Sequence, residues 1–429
     1  AQEISKNNPD KLILIEPGYG FLSENDKFVS LIEATKNPNI IFAGPASEPM
    51  KIAGDKLSFR NMTKKVAPEI NLWYTADPNS TLDALNNYVN SGFAALNPIN
   101  FAYRKIFKEI QDNGGDVMLK AVYGGGGKGI KNFKMDYEKN PEENYQDFVR
   151  LVLKNRTQSQ ELFGDSTMLI EKCIRGNTHH IEVQVAISNG KAVILGDRNC
   201  TAQKDGQKFI EQNIIQGDYS DELMKKINEG ALKVAIEMAK NGYNGLATLE
   251  MLADPSDNSA TILEANTRLQ VEHPVTKKDI QNKTGKAISL PLLNAALVVN
   301  KNKTPDELLK SLYGFTIEDL TKMAAPSKER VLHLRVNSKA LDYSTGKVIP
   351  TFVQDSAWLP GMAERISKES GASIIEGGLG DGTCDSQIGS IFGSEKQVLQ
   401  AATMLRDGLR MSSQIFDRNP RARTNLDDC

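Results

Sequence analysis

The sequence predicts a multidomain chain that combines α/β and α+β folding, and three observations carry that expectation. Its 429 residues exceed what one ordinary hydrophobic core encloses, so two or three subdomains are expected. Near the start, short apolar runs alternate with a segment of helical spacing, as in a right-handed parallel strand–helix–strand unit. Farther along, apolar runs follow one another closely enough to pair as strands, with a long amphipathic segment between them.

Taken in order, residues 11–16 form an apolar run that stops at Pro17-Gly18-Tyr19-Gly20, a buried strand ending in a turn. Phe28 to Thr35 has helical spacing, and Ile40 to Ala43 is a second strand halted at Gly44-Pro45. From Asp77 to Gly115 the chain is polar and helical. Asp116 to Val122 then forms a strand that runs into Gly124-Gly125-Gly126-Gly127-Lys128-Gly129. A helix near Tyr145 to Leu153 follows, then strands at Thr167–Glu171, Ile181–Ile187 and Ala192–Gly196, which together resemble a small α+β lid on a larger body. Ser220 to Asn241 is an amphipathic helix, and Thr248–Ala253 and Ala260–Glu264 are paired strands.

Composition narrows the class. Hydrophobic residues make up 40% and charged residues 25%, as in a globular protein. A net charge of −2 gives no reason to expect nucleic acid or an anionic membrane surface as a partner. No apolar run approaches the roughly 18 residues that a membrane span needs. Cys173, Cys200, Cys384 and Cys429 are scattered and read as reduced thiols, not a disulfide frame or a zinc site. The start at Ala1 without an initiator Met, and the polar run from Arg418 to Cys429, suggest a piece of a longer polypeptide.

Three constellations carry chemistry. The glycine run lets backbone N–H groups approach a polyphosphate; it is not a Walker A loop, because Gly129 follows Lys128 where Ser or Thr would be needed. Lys120, inside the preceding strand, is costly to bury unless paired, and a phosphate is the expected partner. Glu250 and Glu264 sit on facing strands, with Asn266 on the same face as Glu264, a donor set suited to Mg²⁺ shared with phosphates. Finally, Asn266, Arg268, Gln270 and Glu272 alternate along what reads as one extended face, opposite Leu269 and Val271. A guanidinium, an amide and a carboxylate there suit a small planar oxyanion and a base.

At these residues the chain resembles the biotin carboxylases, the ATP-grasp subunits or domains of biotin-dependent carboxylases. Glu264 to Thr276 resembles the family's signature. Glu16 to Asn25 is similar to its HPGYGFLSEN segment, Gly44-Pro45 with Gly54-Asp55-Lys56 to its GP…GDK, and His180 to Val185 to its H-[IVL]-E-[VI]-Q. Lys120 with the glycine loop, Arg335-Val336-Asn337, and Asp385-Ser386 with Ile388-Gly389 also match in order.

The resemblance implies a partial Rossmann-like N-terminal domain with its connector at 1–70, an ATP-grasp lid at 71–173, and the ATP-grasp core with a larger C-terminal domain at 174–429. It implies Lys56, Lys120, Gly125, Gly126, His180, Gln203 and Leu252 as nucleotide contacts. Glu171, with the backbone of Lys172 and Ile174, would hold adenine. Glu250, Glu264 and Asn266 would hold Mg²⁺, with Mn²⁺ as the alternative. Bicarbonate would meet Lys208, Arg268, Gln270 and the Val271 amide. Glu272 would be the base, and Arg335 would stabilise the biotin enolate.

The implied activity is ATP- and bicarbonate-dependent carboxylation of biotin on a carrier, through carboxyphosphate. The implied partners are a biotin carboxyl carrier and a carboxyltransferase, within a homo-oligomer or larger complex, with no membrane or nucleic acid. The expected compartment is the cytoplasm, with a mitochondrial or plastid matrix as the alternative. Gly206 stands where the family has His, Glu16 replaces a His, Gln212 a Glu, and Ser390 a Lys. Two other readings stay open at this stage: a carboxylase-like scaffold without catalysis, and an ATP-grasp ligase acting on another carboxylate.

Overall fold

The computed structural model describes residues 1–429 except 19, 21, 79–81, 94–97, 123–128, 205–206, 323–328, 343–346, 351–358, 377–386, 405–421 and 425–429. It does not describe the side chains of 204, 207, 209, 321–322, 335–342, 347–350, 359–363, 374–376, 387–390 and 422–424. The fold is mixed α/β and multidomain, as the sequence predicts.

Strands β1 (Ile13–Ile15) and β2 (Ile40–Phe42) pair in parallel, Ile13 opposite Ile40. The helix Asp26–Ala34 connects them, started by Asn25, whose side chain accepts from the Phe28 N–H. A small core of Val29, Phe42 and Met50 closes this unit.

A four-stranded sheet follows, built from β3 (Tyr74–Ala76), β4 (Asp116–Ala121), β5 (Ile130–Lys134) and β6 (Met168–Lys172) in the order β3-β6-β4-β5. It has its own aromatic-rich core, including Tyr103, Phe107, Tyr145 and Phe148, under the helices Leu82–Asn90, Pro98–Asp112 and Pro141–Phe163. The last of these is longer than the expected Tyr145–Leu153. Asn140 and Glu143 form a reciprocal capping box at its start, and Gly164 ends it in the left-handed conformation at φ 70°, a turn that only glycine adopts without strain.

The largest sheet holds β7 (His179–Ser188), β8 (Lys191–Lys204), β9 (Gln207–Asn213), β10 (Gly245–Asp254), β11 (Ser259–Asn266), β12 (Val331–Asp342), β13 (Lys347–Pro350), β14 (Ser373–Glu376), β15 (Gln387–Ser394) and β16 (Ala422–Thr424). Its order is β11-β10-β7-β8-β9-β12-β15-β14, with β13 and β16 also paired to β12. The expected strand Ala192–Gly196 continues to Lys204 because the register shifts opposite Gln184 and Val185; Gly196 marks a bulge there, not a strand end.

Alternation on β7 and β10 decides where the polar residues go. Ile181, Val183, Val185 and Ile187, with Ala247, Leu249, Met251 and Ala253, pack against the helix Asp221–Lys240. His180, Glu182 and Gln184 therefore face the other side, register partners of Leu252, Glu250 and Thr248. The helix Asp221–Lys240 is capped by Ser220, whose hydroxyl accepts from the Leu223 N–H at 3.1 Å. Its Gly230 lies so close to Ile70 that a Cβ would come 2.6 Å from Ile70 Cδ1.

Candidate active site

The polar face of β7, β8 and β10 converges on Lys208. Its Nζ donates to Glu182 Oε1, lies 2.9 Å from Glu250 Oε1 and 3.5 Å from Glu272 Oε1. Burial alone would lower the lysine's pKa, but the three carboxylates outweigh it and hold the ammonium well above its usual value. Burial likewise opposes ionisation of Glu250, and Lys208 with His180 more than reverses it, leaving the carboxylate well below the usual range.

Glu250 is shared by several donors. Asn266 Nδ2 donates to Oε1 at 2.7 Å, Gln270 Nε2 approaches the same atom at 3.3 Å, and His180 Nε2 lies 2.9 Å from Oε2. His180 Nδ1 meets Gln203 Nε2 at 2.7 Å. Desolvation lowers the His180 pKa, yet Glu250 dominates and raises it overall. The expected pairing of Glu250 with Glu264 is present as direct register partners, and Thr248 faces Asn266. Glu264, however, keeps 42% of its side-chain surface and faces Lys56 Nζ at 3.8 Å, so its apolar neighbours in sequence do not bury it. Carboxylate and amide oxygens at Glu250, Glu264 and Asn266 are the hard donors that Mg²⁺ takes.

The reading of Asn266–Glu272 as one extended face is corrected. β11 ends at Asn266, and the chain then turns: the His273 N–H donates to Gln270 O at 3.1 Å, and the helix His273–Thr284 starts with Glu272 at its cap and Pro274 in its first turn. Gln270 and Glu272 consequently go inward and are buried. Arg268 turns toward the first unit, where its Nε donates to Glu24 Oε2 at 2.9 Å while the Thr267 N–H donates to Glu24 Oε1. Val271 sits in the turn between Gln270 and Glu272.

On the four-stranded sheet, Lys120 Nζ lies 2.6 Å from Glu171 Oε2, so its charge is met within the chain. Arg60 Nε donates to the other Glu171 oxygen. Burial opposes ionisation of Glu171, but Lys120 and Arg60 override it and lower its pKa. The Glu171 carboxylate is therefore engaged by two cations, while the Lys172 N–H donates to Trp73 O at 3.0 Å and Ile174 follows in the loop after β6. Leu252 lies opposite His180. Arg335 lies on β12 opposite Ser390, with its side chain outside the described residues; Gly125, Gly126 and Gly206 lie wholly outside them.

Sequence reasoning missed Glu182 and Arg198. Both are fully buried, and Arg198 donates through Nε and Nη2 to Glu182 Oε2 at 3.1 and 2.9 Å. Glu182 stood within the matched segment His180–Val185, and its alternation with His180 and Gln184 between apolar residues was the available signal. Arg198 gave none, since its strand was expected to end before it. Arg60, the buried partner of Glu171, was also missed.

A family model described as carbamoyl-phosphate synthase L chain, ATP binding domain, matches residues 80–300, more than half of the chain. A second, described as biotin carboxylase, N-terminal domain, matches residues 4–50. The chain is 34% identical over 295 residues to the mitochondrial methylcrotonoyl-CoA carboxylase subunit alpha of Dictyostelium discoideum. It is 35% identical over 266 residues to biotin carboxylase 2 of Bacillus subtilis. The chain belongs to the biotin carboxylase family.

The two alignments take in 67% and 62% of the chain but 36% and 51% of the relatives, so the chain spans about a third to a half of their length. Among solved structures, the biotin carboxylase–β,γ-ATP complex of Campylobacter jejuni superposes with a TM-score of 0.63 at 24% identity, covering 95% of this chain and 76% of that one. The biotin carboxylase domain of Hydrogenobacter thermophilus 2-oxoglutarate carboxylase, with MgADP, ADP and bicarbonate, gives 0.63 at 22%, covering 99% and 78%. These likenesses establish the biotin carboxylase fold.

Proposed function

We propose that this chain performs the first half-reaction of a biotin-dependent carboxylase: ATP-dependent activation of bicarbonate and carboxylation of biotin on a carrier protein. The observation that carries this reading is the convergence of Lys208, Gln270 and Glu272 beside Glu250 in one buried cluster. It places a cation and an amide donor next to a carboxylate base. That combination suits an anion that must also lose a proton, which is what bicarbonate must do before it attacks phosphorus.

In this reading Lys208, Gln270, Arg268 and the Val271 amide hold bicarbonate, and Glu272 takes its proton. The oxygen so freed attacks the γ-phosphorus, ADP leaves, and carboxyphosphate forms. Its breakdown gives CO2 and phosphate; the phosphate takes the biotin N1′ proton, and the ureido enolate, stabilised by Arg335, attacks CO2. Lys56, Lys120, His180, Gln203 and Leu252, with the glycine loop around Gly125 and Gly126, contact the nucleotide. Since the Glu171 carboxylate is already paired and the Lys172 N–H is already given to Trp73 O, the adenine contacts fall to the remaining backbone groups of Glu171, Lys172 and Ile174. Glu250, Glu264 and Asn266 would hold Mg²⁺ or Mn²⁺, which when bound neutralises phosphate charge.

The division at residues 70 and 173 belongs to the same reading, as do a biotin carboxyl carrier and a carboxyltransferase as partners in a homo-oligomer or larger complex. Among the described residues no helix is long and apolar enough to cross a membrane. The compartment proposed is the cytoplasm; the mitochondrial and chloroplastic relatives support an organelle matrix as the alternative.

The test is ADP release by the full-length protein with MgATP and free biotin, with and without bicarbonate, beside Glu272→Gln. Turnover that needs bicarbonate, rises with biotin and collapses in the variant is expected. ATP binding with no bicarbonate-dependent turnover overturns the assignment.

A further inference from the structure

Arg198 is 0% exposed, and a buried guanidinium is tolerated only where its donors find acceptors. Besides its two bonds to Glu182, its Nη1 donates to Gln184 Oε1 at 3.0 Å and to Thr276 Oγ1 at 2.7 Å. Its Nη2 reaches Thr248 Oγ1 at 3.4 Å and Gln270 Oε1 at 2.5 Å. Desolvation lowers its pKa, Glu182 and Glu272 more than offset this, and the net shift is upward.

The contact with Gln270 has a chemical consequence. A guanidinium carries only donors, so the end of the Gln270 amide that meets it must be the oxygen. The opposite end faces Glu182 Oε1 at 3.4 Å and Glu250 Oε1 at 3.3 Å. Carboxylate oxygens only accept, so that end must be the NH2 group. Arg198 and the two carboxylates thus fix the amide's sense from both sides, and the donor end points into the cluster with Lys208. In the reverse sense the amide would present a lone pair to an incoming anion.

We infer that Arg198 is a positioning residue for bicarbonate: by holding Gln270 Oε1 it keeps the Gln270 NH2 group turned toward the anion, and by holding Glu182 Oε2 it fixes the carboxylate on which Lys208 rests. This rests on the reading of Lys208 and Gln270 as bicarbonate donors. Arg198 itself touches neither substrate nor reacting atoms, and it acts through those two side chains.

The experiment measures bicarbonate KM and kcat for ADP release in full-length wild-type protein, Arg198→Lys, Gln270→Met and the double variant. Calorimetric binding of a non-hydrolysable MgATP analogue and a melting temperature accompany each. A lysine keeps the charge but cannot span Glu182, Thr276 and Gln270 together. Arg198→Lys is expected to raise bicarbonate KM about tenfold, more than it lowers kcat, with analogue binding within about twofold of wild type. Because part of the Arg198 effect runs through Gln270, the double variant should raise the bicarbonate KM by less than the product of the two single effects.

An unchanged KM in folded Arg198→Lys, or effects that multiply independently in the double variant, overturns the proposal. So does a loss of analogue binding as large as the change in KM. If Arg198→Lys does not fold, Thr276→Val removes one anchor only, and should raise KM about twofold to threefold; no rise there is equally decisive against it. A wild type without bicarbonate-dependent turnover removes the functional reading and this inference together, whereas a competent wild type with an indifferent Arg198→Lys removes the inference alone.

Discussion

Lys208 Nζ and Glu250 Oε1 stand 2.9 Å apart, and the same ammonium also faces Glu182 and Glu272. Three buried carboxylates around one lysine form an arrangement in which the cation holds the anions together. Removing it leaves uncompensated buried charge, a loss on the order of 3–5 kcal/mol. Lys208→Met is therefore expected to lower stability by about that amount in urea denaturation and to abolish bicarbonate-dependent ADP release. A variant as stable as wild type would contradict the charge argument.

Glu171 joins the helix Lys56–Val66 to the four-stranded sheet through Arg60, while also neutralising Lys120. Glu171→Gln keeps the shape and removes the charge, leaving two cations with one neutral acceptor. A loss of about 3 kcal/mol is expected, read as a lower denaturation midpoint. If the two cations contribute independently, Lys120→Met should recover part of the loss when combined with Glu171→Gln.

Gly230 gives a packing test. Alanine there would gain roughly 1 kcal/mol of helix propensity, but its Cβ would fall 2.6 Å from Ile70 Cδ1, and overpacking costs about 1–3 kcal/mol. Gly230→Ala should lower the melting temperature. Ile70→Val removes the offending methyl carbon, so the double variant should be more stable than the sum of the two single effects predicts. Strict additivity would show that Ile70 does not limit the site.

His273 gives a pH test. Burial pulls its pKa down to about 4, against a smaller opposing effect of its bond to Gln270 O. The unfolded imidazole protonates near 6.5, so between about pH 6.5 and 4 the unfolded chain binds a proton that the folded chain refuses. Stability attributable to this group is fully present above pH 6.5 and falls as the pH drops through that window, by up to about 3 kcal/mol. Urea midpoints at pH 7.5 and 5.0 should therefore differ less in His273→Gln than in wild type; equal shifts in both would contradict it.

Much of the fold could be read from apolar periodicity, and so could part of the site. Alternation puts Glu264 and Asn266 on one face of their strand, while the strand pairing of the structure is what sets Glu250 opposite Glu264. The same rule failed just beyond, where Asn266 to Glu272 alternates like a strand although a turn follows Asn266. Pro274 sits in the first turn of the next helix, and it was the local cue. Arg198 was invisible for another reason. Its partners Glu182, Thr248, Gln270 and Thr276 lie 16, 50, 72 and 78 positions away, distances at which no spacing rule operates. Lys120 illustrates a third limit: burial of a lysine announces an anion, but not whether the anion is a ligand or Glu171.

The entry to the four-stranded sheet and the exit from it are neighbours, since Tyr74 at its start is the register partner of Glu171 near its end. A segment whose two ends lie side by side is an inserted cassette. It can lengthen internally without rethreading the strands that carry Lys208 and Glu250. Evolution could retune this segment and the sheet that carries Lys208 and Glu250 as separate parts, and a grafted cassette from a relative would have only one doorway to match.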